Sequence, residues 1–223
     1  GIAAIELLEH AGWRVQLVDD VCCGRSQISK GLLDAARRNH ARLIDRLAPF
    51  AEAGTPIVGC EPSCVFTLSD ELVALSRGDK RAKAIARQAG LADDLIADAV
   101  DDGSLVVPDA TGPTPVVFHG HCHQKAAHAL PSSVRLLNKL PGAQVDVLDA
   151  GCCGMAGSFG FERDHYDLSM QIGEMRLFPA VREAPHDALI AATGVSFRQQ
   201  ISHGTHRKAE HPIVLLHRAL IGG

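Results

Sequence analysis

The chain has 223 residues, 46% of them hydrophobic, and a formal charge of −4. That length and composition suit one large domain or two small ones around a sizeable core, and they exclude a disordered chain. Scattered basic residues on an acidic balance exclude a nucleic-acid footprint, and no apolar run reaches the ~18 residues of a membrane span.

The chain opens Gly1-Ile2-Ala3-Ala4-Ile5-Glu6, with no initiator Met and no signal-peptide pattern, and reads as a fragment of a longer protein. Ile2, Ile5 and Leu8 share one face of a helix over residues 2–11, which Gly12 ends. Arg14 to Val18 alternates like a strand and leads through Asp19-Asp20 into Cys22-Cys23-Gly24. A long helix is predicted from about Ser29 to Pro49, with Leu32, Leu33, Ala36, Leu43 and Leu47 towards a core. Its other face carries Arg37, Arg38, Arg42 and Arg46, a solvated face or a docking face for a partner.

Gly54-Thr55-Pro56 is a turn, Ile57-Val58-Gly59 a short buried strand, and Cys60-Glu61-Pro62-Ser63-Cys64 the loop at its end. Residues 69–103 are charged and Ala-rich and read as two helices. Asp109 to Pro115 is the clearest linker. The predicted domains are therefore 1–108, a first repeat with its beginning missing, then the linker 109–115, then a second repeat over 116–223.

The second half repeats the plan. Val116-Val117-Phe118 is a strand that runs into His119-Gly120-His121-Cys122-His123-Gln124-Lys125, with a helix to about Leu140. Pro141-Gly142 turns the chain into a strand over 144–148, which ends at Gly151-Cys152-Cys153-Gly154. A helix is predicted from Asp164 to Pro179, a buried strand over 188–192, the segment Gly194 to Arg198 at its end, and a last helix over 210–221.

The repeat can be counted. Val18 precedes Cys22 by four residues, as Leu148 precedes Cys152. Cys23 to Cys64 spans 41 residues and Cys153 to Phe197 spans 44, so Ser63-Cys64 matches Ser196-Phe197. Cys122 lies 30 residues before Cys152, and its counterpart falls about eight positions ahead of Gly1. Helices alternating with short apolar strands predict an α/β fold: a duplicated layered module of short parallel strands and helices, with cysteine loops at strand ends.

The seven cysteines fall at 22/23, 60/64, 122 and 152/153, which is no extracellular disulfide ladder. Adjacent cysteines form a strained ring when bridged. Presented on glycine-rich loops, they suit a metal or an iron–sulfur cluster, with amide N–H groups facing the sulfurs. The candidate ligands are Cys22, Cys23 and Cys64 in the first repeat and Cys122, Cys152 and Cys153 in the second. Cys60 is either a further ligand or a small buried apolar residue. Zinc is the rival metal, with nitrogen from His119, His121 and His123 if they alternate along an extended loop. Otherwise those histidines are hydrogen-bonding neighbours or surface residues. Gly154-x-x-Gly157-x-x-Gly160 lacks the Lys-Ser/Thr ending of a phosphate loop, and no Gly-x-Ser-x-Gly elbow is present.

Four stretches carry a family resemblance: Cys22-Cys23-Gly24-Arg25, Glu61-Pro62-Ser63-Cys64, His119 to Lys125, and Gly151-Cys152-Cys153-Gly154-Met155-Ala156-Gly157-Ser158-Phe159-Gly160. The segment from Gly204-Thr205 to His211-Pro212 also fits. The sequence resembles the cysteine-rich CCG-domain family. That family includes heterodisulfide reductase B subunits, glycolate oxidase iron–sulfur subunits, anaerobic glycerol-3-phosphate dehydrogenase C subunits and lactate-utilisation proteins.

The wording is most similar to the C-terminal part of fused FAD-linked D-2-hydroxyacid (D-lactate or glycolate) oxidase–iron–sulfur proteins. The resemblance implies an electron-transfer module with an iron–sulfur cluster of the 4Fe-4S type. FAD would lie in an upstream domain or a partner, and a quinone, cytochrome or other redox protein would accept the electrons. It implies a cytoplasmic location, free or peripheral at the inner face of the membrane. Two other readings stand beside it: a zinc-stabilised scaffold of a dehydrogenase complex, and a catalytic cluster acting on a disulfide. The family usually has a cysteine where Phe197 stands, so the second site departs from the pattern.

Overall fold

The computed structural model describes residues 1–221 and divides the chain into two compact units. One is Val15–Ala92; the other joins Gly1–Arg14 to the residues from Asp93 onward. Among the described residues there are 13 α-helices and six short strands in two parallel sheets, an α/β fold as the sequence predicts.

Helix α1 (Ile2–His10) belongs to the larger unit. The smaller unit begins without a strand: residues 14–18 are irregular. The alternation there is real, but a strand is held by ladder bonds, and among the described residues no strand pairs with this segment. Two short elements then precede the long helix, α2 (Arg25–Ser29) and the Gly31 turn at φ +72°, so α3 runs Leu33–Glu52. Leu32 and Leu33 are exposed, against expectation, because they sit at the start of α3 and outside its buried stripe. That stripe is Ala36, Leu43, Ile44, Leu47, Ala48 and Ala51.

β1 (Ile57–Gly59) leads to α4 (Pro62–Ser69), α5 (Glu71–Leu75), α6 (Lys80–Gln88) and β2 (Ala89–Leu91). β2, which the charged Ala-rich pattern did not announce, pairs in parallel with β1 from Ile57↔Ala89 to Gly59↔Leu91. The core of this unit packs the apolar stripe of α3 against Leu72, Ala82 and Ile85.

The larger unit continues with α7 (Ala92–Asp101), β3 (Thr114–His119), α8 (Cys122–Ala126), α9 (Leu130–Leu137) and β4 (Ala143–Val147). Two 3-10 turns (Phe159–Phe161, Arg163–His165) precede α10 (Tyr166–Met175) and α11 (Leu177–Glu183). β5 (Leu189–Ala192), α12 (Val195–Thr205), β6 (Ala209–Glu210) and α13 (Pro212–Ile221) complete it. The expected helix ending near Leu140 is broken at His128, which takes φ 53°, and the one over 164–179 is broken at Arg176. The segment Gly194 to Arg198 at the end of β5 opens α12. Its polar sequence shows no clean apolar stripe, and its burial of Phe197, Gln200, Ile201 and Thr205 is a tertiary outcome.

The sheet order is β4-β3-β5-β6, all parallel. β3 is central and its residues Val116 to His119 are buried, as a strand covered on both faces must be. The chain runs from β3 to β4 on one side and then crosses to β5 on the other, so the strand order reverses at β3, and α/β sheets bind ligands beyond the carboxyl ends of the strands at such a point. β1 and β5 each pair in parallel with a later short strand, and each ends five residues before the matched position, Cys64 or Phe197.

Candidate metal centre

Each vicinal cysteine pair is followed by a glycine at positive φ, Gly24 or Gly154. In the larger unit, Leu148 N–H still bonds the Phe118 carbonyl at 2.9 Å, and beyond it the chain turns through Gly151 at φ +61° and Gly154 at φ +95°. Cys152 is exposed and Cys153 is buried in the core cluster with Met155, Phe178 and Phe197. Gly154 admits no side chain: a Cβ there would lie 2.1 Å from the Ser169 carbonyl oxygen. This close turn aims the Gly154 N–H at Cys152 Sγ, 3.3 Å away.

Cys122, exposed at the first position of α8, and Cys153 both donate to the Cys152 sulfur. These two thiol donors and the Gly154 N–H hold Cys152 as a thiolate, pulling its pKa down to about 2. Cys122 and Cys153 are pushed up correspondingly, by giving their protons to that bond and by burial.

In the smaller unit the second cysteine of the pair, not the first, is the acidic one. Gly24, at φ +79°, donates its N–H to Cys22 Sγ at 3.4 Å. Cys64, on α4, donates to Cys23 across 41 residues of sequence. That bond, with the Arg25 N–H, the Arg25 charge and Cys22, lowers Cys23 to about 6 against the opposing effect of burial. Cys64 is pushed up by the same bond. The His40 Nε2–H, from α3, donates to the Cys23 carbonyl at 2.9 Å, and Arg25 pairs with Glu71. Cys60 lies half-buried in the turn between β1 and α4.

Six of the seven cysteines are thus gathered around two sulfurs, Cys23 and Cys152. The donor set fits an iron–sulfur group: thiols only, with backbone N–H groups directed at sulfur. Among the described residues no three His, Cys, Asp or Glu side chains close around one point as a single ion requires.

The histidines do not alternate along an extended loop, because α8 begins at Cys122. His121 caps that helix, its Nδ1 accepting from His123 N–H at 3.0 Å. His119 ends β3 and is buried. Phe197 fills the matched fourth position, its ring stacked on His121 with centroids 4.6 Å apart and 5.2 Å from His119.

Several residues that hold the loops were not singled out from the sequence. Gln124 Oε1 accepts from His121 N–H at 3.3 Å and from Thr193 Oγ1 at 2.8 Å, while its Nε2 donates to Ser133 Oγ at 2.8 Å. Ser133 in turn donates to Asp93, whose carboxyl burial pushes up to about 6. Gln200 Nε2 donates to the Cys153 carbonyl at 3.0 Å and to Ser169 Oγ at 3.0 Å. The spacing His121-x-x-Gln124 is a legible capping-box signal; nothing in the sequence pointed to Asp93, Ser133 or Gln200.

The fold and the site define a class: a cysteine-rich α/β module that gathers thiols at the ends of parallel strands. Residues 116–194 match the CCG family, described as the cysteine-rich domain. It is 31% identical over 218 residues to the C subunit of the anaerobic glycerol-3-phosphate dehydrogenase of Escherichia coli (strain K12), covering 97% of this chain and 54% of the relative. It is 29% identical over 213 residues to D-2-hydroxyglutarate dehydrogenase of the same strain, covering 95% of this chain and 20% of the relative. Lactate utilization protein A 2 of Bacillus mycoides is 26% identical over 208 residues, covering 86% of this chain and 79% of the relative. The chain thus spans about half the length of the first relative and a fifth of the second. No solved structure matches significantly. Among the described residues no helix is long and apolar enough to cross a membrane.

Proposed function

We propose that the chain is the iron–sulfur electron-transfer module of an FAD-linked 2-hydroxyacid dehydrogenase of the D-lactate or glycolate type. It takes electrons from a flavin domain or subunit and passes them to a quinone, a cytochrome or another redox protein. The observation that carries this reading is the convergence on Cys23 and Cys152: in each unit a vicinal pair and a distant cysteine meet at one low-pKa sulfur faced by a backbone N–H, that of Arg25 at Cys23 and that of Gly154 at Cys152. Dehydrogenase relatives support the redox setting.

A bound cluster, of the 4Fe-4S type in this reading, supplies the one-electron chemistry. Cys22, Cys23 and Cys64 hold one group, with Cys60 near enough in sequence to join. Cys122, Cys152 and Cys153 hold the other. Hydrogen bonds from Gly24 and Gly154 to the sulfurs raise the potential of a group held there. The module works in the cytoplasm or at the inner face of the membrane.

Anaerobic reconstitution with iron and sulfide tests this. The expected product is brown, binds iron and sulfide in equal amounts, and is bleached by one-electron reduction. Protein that takes up stoichiometric zinc and no iron or sulfide overturns the reading in favour of a zinc-stabilised scaffold.

A further inference from the structure

His119 stands out among the buried polar groups. It is 1% exposed, and among the described residues neither ring nitrogen has a hydrogen-bond partner. Buried polar groups in folded proteins are matched almost without exception, so an unmatched one points to a group that completes it. Burial also keeps this ring neutral, pushing it down to about 4, so it carries one N–H and one lone pair.

Its surroundings say where the partner belongs. His119 closes β3 at its carboxyl end, where the strand order reverses between β4 and β5. It stands three residues ahead of Cys122, the first residue of α8. Its ring packs 5.2 Å from Phe197, the residue that stands where the first repeat has Cys64. Phe197 offers the site neither a thiolate nor a donor.

We propose that His119 is a positioning residue of the second site, donating its ring N–H to a sulfur of the iron–sulfur group held by Cys122, Cys152 and Cys153. This rests on the iron–sulfur reading above. The contact supplies a directed polar interaction on the side of the site where Phe197 provides none. It also accounts for a histidine without a hydrogen-bond partner among the described residues.

The test uses the full chain carrying Cys23→Ser and Cys64→Ser, so that iron reports on the second site, with His119→Leu and His119→Gln added in turn. If that background does not fold, the same His119 variants are made in the unaltered chain and iron release is followed as two phases. Metal-free His119→Leu is expected to melt no lower than its parent, since it removes two unmatched buried nitrogens. After reconstitution it should release iron to a chelator about tenfold faster, and His119→Gln, which keeps an N–H, should restore most of the difference. Unchanged iron release in His119→Leu overturns the inference and leaves the histidine matched by water. So does a large fall in metal-free melting temperature with no rescue by glutamine, which marks a residue needed only for folding. A parent that binds no iron or sulfide overturns the underlying reading as well, so the two failures are distinct.

Discussion

Gln200 reaches from α12 to the loop of the second cysteine pair, its side-chain amide donating to the carbonyl oxygen of Cys153 at 3.0 Å. The same amide meets the hydroxyl of Ser169 at 3.0 Å and its carbonyl at 3.2 Å, so one buried group ties the cysteine loop to α10. Gln200→Leu keeps the volume but leaves these acceptors unmatched. It is expected to lower stability by about 1–3 kcal/mol, read from urea unfolding. Alkylation of Cys153 in the metal-free chain should become faster. Wild-type stability in the variant would show that the amide contributes nothing to the loop.

Cys23 in metal-free protein should behave as an unusually acidic thiol. Its alkylation rate is expected to rise with pH through a midpoint near 6, then level, because the thiolate that Cys64 and Arg25 stabilise is the nucleophile. Cys64→Ala removes the largest cause of the shift, so the midpoint should move up towards the ordinary thiol range. An unmoved midpoint in that variant, followed by mass spectrometry of the labelled peptide, contradicts the Cys64–Cys23 bond.

Asp93 supplies a pH dependence of the opposite kind. Its folded pKa of about 6 lies above the ordinary 3.8, so between those values the folded chain keeps a proton that the unfolded chain has released. Stability from this group is present at low pH, falls as pH rises through that window, and is flat above about 6. Asn at this position is never charged and still accepts from Ser133. Asp93→Asn is therefore expected to be the more stable protein above pH 6, by up to roughly 3 kcal/mol, with the two converging towards pH 4. Parallel stability curves across that range would refute the assignment.

Gly154→Ala tests the turn itself. Both the φ of +95° and the 2.1 Å approach to the Ser169 carbonyl forbid a Cβ, and that neighbour is backbone, which cannot swing aside. The substitution should cost more than about 2 kcal/mol, and it should loosen the N–H that faces Cys152, so that Cys152 in the metal-free chain becomes less acidic. Gly151→Ala, where φ is +61° and nothing lies within 4 Å, should cost less. Equal losses from the two substitutions, measured by thermal unfolding, would remove the close approach as the cause.

Most of the large elements were legible because their signals are local. Hydrophobic periodicity marked α1, α3 and α13, and the short apolar runs marked β1, β3, β4 and β5. The strand expected at Arg14–Val18 failed because a strand depends on a partner, and alternation cannot supply one. β2 and β6 were missed for the converse reason: two or three unremarkable residues become a strand only beside β1 or β5.

By itself the sequence determined the two vicinal cysteine pairs, each followed by a glycine, and the count that sets Cys64 against Phe197. Spacing along a chain carries that information, since residue type and loop conformation are local properties. Only the tertiary structure decided which thiols share a proton, that Gln200 and His40 anchor the two cysteine carbonyls, and that His119 is buried without a hydrogen-bond partner among the described residues. Those facts join residues from different elements, such as Gln200 and Cys153, which lie 47 positions apart. Proximity of that kind is created by packing around the sheet, where burial raises the stakes of every unmatched polar group.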